Sequence, residues 1–328
     1  MLTRSPRSPR RFLYVLERGG HTNLLLQYLF AAKLSELCPT LSVAGRNSHR
    51  LPWVEDCMIR PAMAPSVPLQ DAPVMEIVDI IKRFPDVSYK YRGVPSLFDM
   101  LPDREQANKL ILAAANPTYV ASREELIINV RGDETLGDCH RDYGPVPISF
   151  FRTVIEKTNL NPVFLGQLGH DYYSTVLRAE FPHAKFVPSG GAYNDFEAIR
   201  SAHHIIPAVS TFSWLASWLS SAETVHLPLL GMLNPRQRRD TWLLPLGDPR
   251  YRYYQFPVRH WQATKQQKED VLFRYGLPKP ISVSDLENLK MENYSLRQPA
   301  QVRALKKFEK QSAFASRLGL ISLVKVKI

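Results

Sequence analysis

Between residues 124 and 230, short apolar runs alternate with stretches of about ten residues more regularly than anywhere else in the chain. EELIINV (124–130), PVFLGQL (162–168), AKFVPS (184–189), HHIIPAVS (203–210) and TVHLPLL (224–230) read as strands. PISFFRTVIEKTN (147–159), DYYSTVLRAEF (171–181), NDFEAIRSA (194–202) and TFSWLASWLS (211–220) read as the helices between them. A chain that alternates in this way forms a parallel sheet with helices packed on its faces, a doubly wound α/β domain. Ligands of such sheets sit at the carboxyl ends of the strands, so chemistry is expected in the loops there.

The N-terminal half carries the same grammar less regularly. RFLYVLE (11–17) reads as a buried strand, followed by the loop Gly19 to Asn23, an apolar helix over Leu24 to Leu34 that Pro39 terminates, and the strand LSVAG (41–45). Helices are expected at 73–84 and 103–115, and the Pro-rich stretch 60–73 reads as surface loop. Residues 1–11 read as a disordered basic arm. The divisions are then 12–118, an N-terminal Rossmann-like domain; 119–260, a second Rossmann-like domain; and 261–328, a helical basic tail that packs back across both halves. A cleft between the two domains is the expected binding place.

Charge and cysteine content remove several function classes. The net charge of +11 looks like that of a nucleic-acid binder, but it resides at the ends. Arg4, Arg7, Arg10 and Arg11 carry it at one end; Arg303, Lys306, Lys307, Lys310, Arg317, Lys325 and Lys327 carry it at the other, against Glu309 alone. The body is close to neutral, so nucleic acid is an unlikely partner, and the basic ends equally suit an anionic membrane surface. No apolar run is long enough to span a bilayer and no secretory signal opens the sequence, which sets the expected location as cytoplasmic, with peripheral contact at the inner face of the membrane. Cys38, Cys57 and Cys139 have neither disulfide nor zinc-site spacing. Without a DxD pair or a His/Cys cluster, no metal site is expected.

Three loops hold candidate chemistry. Gly19 and Gly20 permit a sharp turn and a close backbone approach, and the helix start beyond His21, Thr22 and Asn23 offers free N–H groups to a phosphate. The plain alternative is a turn capped by Thr22 or Asn23. INVRGDETLGDCHRDYGP (128–145) follows a buried strand and gathers Arg131, Asp133, Glu134, Asp138, His140, Arg141 and Asp142. A guanidinium there can grip a diphosphate bidentately, while the carboxylates and His140 are candidate proton acceptors. VSTFSW (209–214) places Ser210, Thr211 and Ser213 at a helix start, where hydroxyls and amides can cradle phosphate or merely cap the helix. His203 and His204 point to opposite faces of a strand and read as structural.

Taken together, the three loops resemble the fucosyltransferase superfamily of bacterial α-1,2-fucosyltransferases, α-1,6-fucosyltransferases and protein O-fucosyltransferases. The α-1,2 enzymes open on a motif like GGLGNQLFQYAFA, against GGHTNLLLQYLFA from Gly19 to Ala31 here. Their HxRRGD is similar to Asn129-Val130-Arg131-Gly132-Asp133, and their DF segment and STFSWW are similar to Asp195-Phe196 and Ser210 to Trp214. The resemblance spans residues 12–231 and implies a GT-B-like α/β fold, two Rossmann-like domains facing a cleft, with parallel sheets flanked by helices. It also implies inverting, metal-independent transfer from a GDP-sugar donor, GDP-fucose by the family pattern, to a glycan acceptor.

On that pattern Arg131 binds the β-phosphate; Gly19, Gly20 and Asn23 close on the diphosphate or sugar; Ser210, Thr211 and Ser213 hold phosphate oxygens; and Asp195 helps place guanine or ribose. Asp138 falls where the α-1,6 members carry a carboxylate, with Asp133 and His140 as rival bases. Thr22, Leu24, Asn129 and Leu215 depart from the pattern, as does the single arginine. These departures leave open a different GDP-linked sugar or acceptor, and keep a non-catalytic sugar-nucleotide-binding homologue as the alternative to an enzyme; a nucleic-acid-binding protein is the remaining class.

Overall fold

A computed structural model describes residues 11–45, 53–54, 66–85, 87–113, 117, 119–274, 278–296 and 310. The basic arm 1–10 and nearly all of the basic stretch 303–328 lie outside these residues, as does Cys57. The chain divides into two compact units, 1–110 with 296–328, and 111–295. The division falls a few residues before the expected one, and residues 261–295 belong to the second unit.

The first unit is a four-stranded parallel sheet in the order β2-β1-β4-β3, from β1 (Arg11–Val15), β2 (Leu41–Gly45), β3 (Ser66–Leu69) and β4 (Ser88–Tyr91). α1 (His21–Leu37) joins β1 to β2, and α2 (Val74–Arg83) joins β3 to β4. A third helix, α3 (Arg104–Leu110), is shorter than the 103–115 expected. Leu25, Leu26, Leu29, Phe30 and Leu34 of α1 are buried, which is why that helix reads as apolar on every face. The Pro-rich stretch was expected to be loop, yet its end is β3. Pro68 is tolerated because β3 is an edge strand, where an absent N–H leaves no gap in the ladder.

The second unit is a seven-stranded sheet in the order β11-β10-β9-β8-β5-β6-β7. Its members are β5 (Glu125–Val130), β6 (Asn161–Gly166), β7 (Lys185–Val187), β8 (His204–Ile206), β9 (Thr224–Leu229), β10 (Tyr251–Gln255) and β11 (Lys279–Pro280). All pairings are parallel except that of β11 with β10. Helices α4 (Ile148–Thr158), α5 (Tyr172–Glu180), α6 (Ala192–Arg200) and α7 (Thr211–Leu219) lie between strands as the alternation requires. Leu126, Ile127 and Ile128 of β5 have no accessible surface, the mark of a strand covered on both faces. The tail is helical at α8 (Lys265–Glu269) and α9 (283–296), but it also contributes the edge strand β11.

Burial of polar groups follows the same logic. His226 on β9 meets the Tyr254 hydroxyl through Nδ1 at 2.9 Å, and burial pushes its pKa down to about 4, so it is a neutral core histidine. Among the described residues no helix is long and apolar enough to cross a membrane.

Candidate functional site

Strands β7-β6-β5-β8-β9-β10 run in the doubly wound order whose direction reverses between β5 and β8, and a crevice opens beyond the carboxyl ends of that pair. The loops leaving β5 and β8 meet there. Asn129, Val130, Arg131, Pro145, Ala208 and Val209 line a shallow depression open to solvent.

Arg131 dominates its charge. Its Nη2 donates to Glu134 Oε1 at 2.7 Å, and its guanidinium carbon lies 5.0 Å from the centre of the Tyr143 ring. The hydrogen bond from Arg131 holds the Glu134 carboxyl below the usual range. Gly132 has a steric reason: a Cβ there would sit 2.6 Å from the Gln167 carbonyl oxygen. Asp133 turns the chain with φ +44, a left-handed geometry that aspartate tolerates better than most side chains. Thr135 Oγ1 donates to the Arg131 and Gly132 carbonyls at 2.9 Å each and closes the turn. Asp133, Asp138 and His140 are all exposed. The His140 ring meets the Tyr143 ring edge-on at 5.1 Å, and its Nδ1 accepts the Asp142 N–H at 3.2 Å.

The turn after β8 is closed by its own hydroxyls. Ser210 caps α7, its Oγ accepting from Ser213 N at 3.0 Å, and Ser213 Oγ accepts from Ala208 N at 2.9 Å. Ser213 has no accessible surface and Ser210 has 3%. The Ser213 hydroxyl is enclosed and satisfies the Ala208 N–H after β8. Thr211 is the half-buried member of the trio. Trp214 is buried and stacks on Trp218 at 5.8 Å, anchoring the helix. Asp195 also works locally: Ser189 Oγ donates to Oδ2 at 2.6 Å and Gly190 N to Oδ1 at 2.9 Å, fixing the turn into α6.

In the first unit, α1 begins at His21 with Gly20 as its cap and no side-chain cap bond, so neither Thr22 nor Asn23 caps it. Thr22 is buried, and Asn23 is half-buried. Gly19 has φ +86, and a Cβ on it would fall 2.3 Å from Asn23 Nδ2, so two independent reasons require glycine.

Two features escaped the sequence reading. Gln27 is 1% exposed; its Nε2 donates to the Leu16 and Gly93 carbonyls at 3.0 and 2.6 Å, and its Oε1 accepts from Arg18 N at 3.3 Å. The signal was present, a lone amide inside an apolar helix. The second feature is a knot around buried Asp142, which accepts from Arg238 Nη1 at 3.1 Å and Gln237 Nε2 at 2.9 Å. Met232 N donates to the Asp142 carbonyl at 2.9 Å, Trp261 N to the Arg141 carbonyl at 2.8 Å, and Trp261 Nε1 to the Gly137 carbonyl at 3.1 Å. The loop carrying Arg131 is therefore tied down by segments that follow β9 and β10. Among the described residues no group of three or more His, Cys, Asp or Glu could hold a metal.

No protein-family model and no curated protein matches the chain. Among solved structures it is similar to the iron-containing dodecameric glycosyltransferase TibC from enterotoxigenic E. coli, with a TM-score of 0.38 and 10% identity over 87% of this chain and 76% of that one. It is also similar to the dodecameric heptosyltransferase TibC in complex with ADP-D-beta-D-heptose, with a TM-score of 0.35 and 11% identity over 78% of this chain and 66% of that one.

Proposed function

We propose that the chain is a glycosyltransferase that binds a sugar nucleotide at the β5/β8 crevice and transfers the sugar, with inversion and without a metal, to a hydroxyl of a glycan. The donor is GDP-fucose, on the resemblance carried by Gly19 to Ala31, Asn129 to Asp133 and Ser210 to Trp214. The observation that carries the reading is the meeting of Arg131 and the β8–α7 turn in one depression at the reversal of strand order. Arg131 binds the β-phosphate there. Asp138 or Asp133 takes the proton of the acceptor hydroxyl as the sugar C1–O bond breaks. Arg131 stabilises the charge gathering on the departing GDP. Asn129, where the resemblance has histidine, donates to the Leu165 carbonyl at 3.1 Å and lines the same depression, so this departure alters the wall of the crevice.

A thermal-shift panel tests the donor class. GDP and GDP-fucose stabilise the protein by about 2.7 kcal/mol at a hundredfold excess over Kd, while UDP, ADP and CMP do not. Replacing Arg131 by alanine should cost about 3 kcal/mol in the transition state, on the order of a hundredfold in rate; near-normal transfer by that variant defeats the proposal.

A further inference from the structure

Glu134 is the unassigned charge at this site. Its carboxylate lies against Arg131 at 2.7 Å, three residues along the same turn. The pair is only partly covered, the Arg131 side chain being 30% exposed and that of Glu134 51%. A carboxylate on a guanidinium makes the same planar contact that a phosphate oxygen makes. We propose that Glu134 is the built-in stand-in for the donor diphosphate: it occupies Arg131 in the free protein, is displaced when the diphosphate arrives, and thereby sets donor affinity. This rests on the reading of Arg131 as the diphosphate arginine.

Two features make the exchange easy. Tyr143 supports the guanidinium from its face, so Arg131 keeps its plane when its partner changes. The Glu134–Arg131 pair is exposed enough to be weak, and a multiply charged diphosphate outcompetes a single carboxylate. The arrangement also keeps the guanidinium paired and fixed in direction while no donor is bound.

The test is a double-mutant cycle read by calorimetry, with GDP and inorganic pyrophosphate as probes, on the full chain. An exposed ion pair is worth up to about 1 kcal/mol, so Glu134→Gln should bind both probes about two- to fivefold more tightly, and the gain should shrink as salt is raised. Arg131→Ala should lose binding of both, and Glu134→Gln should bring no gain in that background. If Glu134→Gln binds equally or more weakly while Arg131→Ala loses binding, Glu134 orients the arginine and the stand-in role falls, with the diphosphate site intact. A gain of equal size with and without Arg131 is a bulk charge effect and also overturns the proposal. If Arg131→Ala binds both probes normally, the diphosphate assignment itself falls.

Discussion

Two helix starts in this protein follow parallel strands, and they satisfy their backbone in opposite ways. At the start of α7, Ser210 and Ser213 use their hydroxyls on Ser213 N and Ala208 N, and the turn closes on itself. At the start of α1, two glycines replace the capping side chain, and Gly20 offers the helix no hydroxyl or carboxylate. A serine turn of this kind is complete without a ligand. The glycine turn has no side-chain cap, and its geometry is set at a distance, by Gln27 bonding Leu16, Arg18 and Gly93. Rigidity in the second unit is local and made of side chains, whereas in the first unit it is borrowed from the helix behind the loop.

The largest expected effect bears on the second unit's self-sufficiency. Asp142→Ala removes the buried anchor of the loop that carries Arg131; with Arg238 still paired to Asp240, the cost should be about 3 kcal/mol. Denaturant unfolding measures that loss, and hydrogen exchange should show protection lost over 131–145 and not over 16–23. Next comes Gly19→Ala, which forces a side chain into a left-handed residue against Asn23 and should cost about 2 kcal/mol by the same assay. A smaller loss, about 1.5 kcal/mol, is expected for Ser213→Ala, since the Ala208 N–H is left buried without its acceptor. That corresponds to a Tm lower by about 3–6 °C for a unit of this size. An unchanged Tm would mean that the α7 turn is less closed than described.

The smallest effect is the sharpest. Nothing lies within 4 Å of a Cβ built on Gly20, so Gly20→Ser should supply a cap and stabilise by a few tenths of a kcal/mol. A variant no more stable than the parent in denaturant unfolding would erase the contrast between the two turns.

What could be read in advance follows from how each residue is satisfied. The strand–helix alternation from 124 to 230 was legible because β5, β6, β8 and β9 are covered on both faces and so spell continuous apolar runs. β3, β4 and β10 were missed because SVPL, SYKY and YRYYQ mix polar residues and proline into strands that alternate or lie at an edge. Arg131 and its turn were legible, since RGD needs a glycine against Gln167 and a left-handed aspartate. The Asp142 knot was not, because its partners Gln237, Arg238 and Trp261 lie about a hundred residues away in segments with no periodicity. The roles of Ser210 and Ser213 were not legible either, because a hydroxyl that satisfies the backbone and a hydroxyl that binds look alike in a sequence.

β11 is only two residues long, runs against β10, and consists of a lysine and a proline. A sheet's outermost strand is where a second molecule can dock by extending the ladder, and unfinished ladders grow into aggregates. Here the rim of the larger sheet ends in a charge and an imino acid that cannot donate. The short strap thus acts as a colloidal safeguard, and deleting residues 278–280 should make the protein prone to self-association at concentrations where the intact chain stays dispersed.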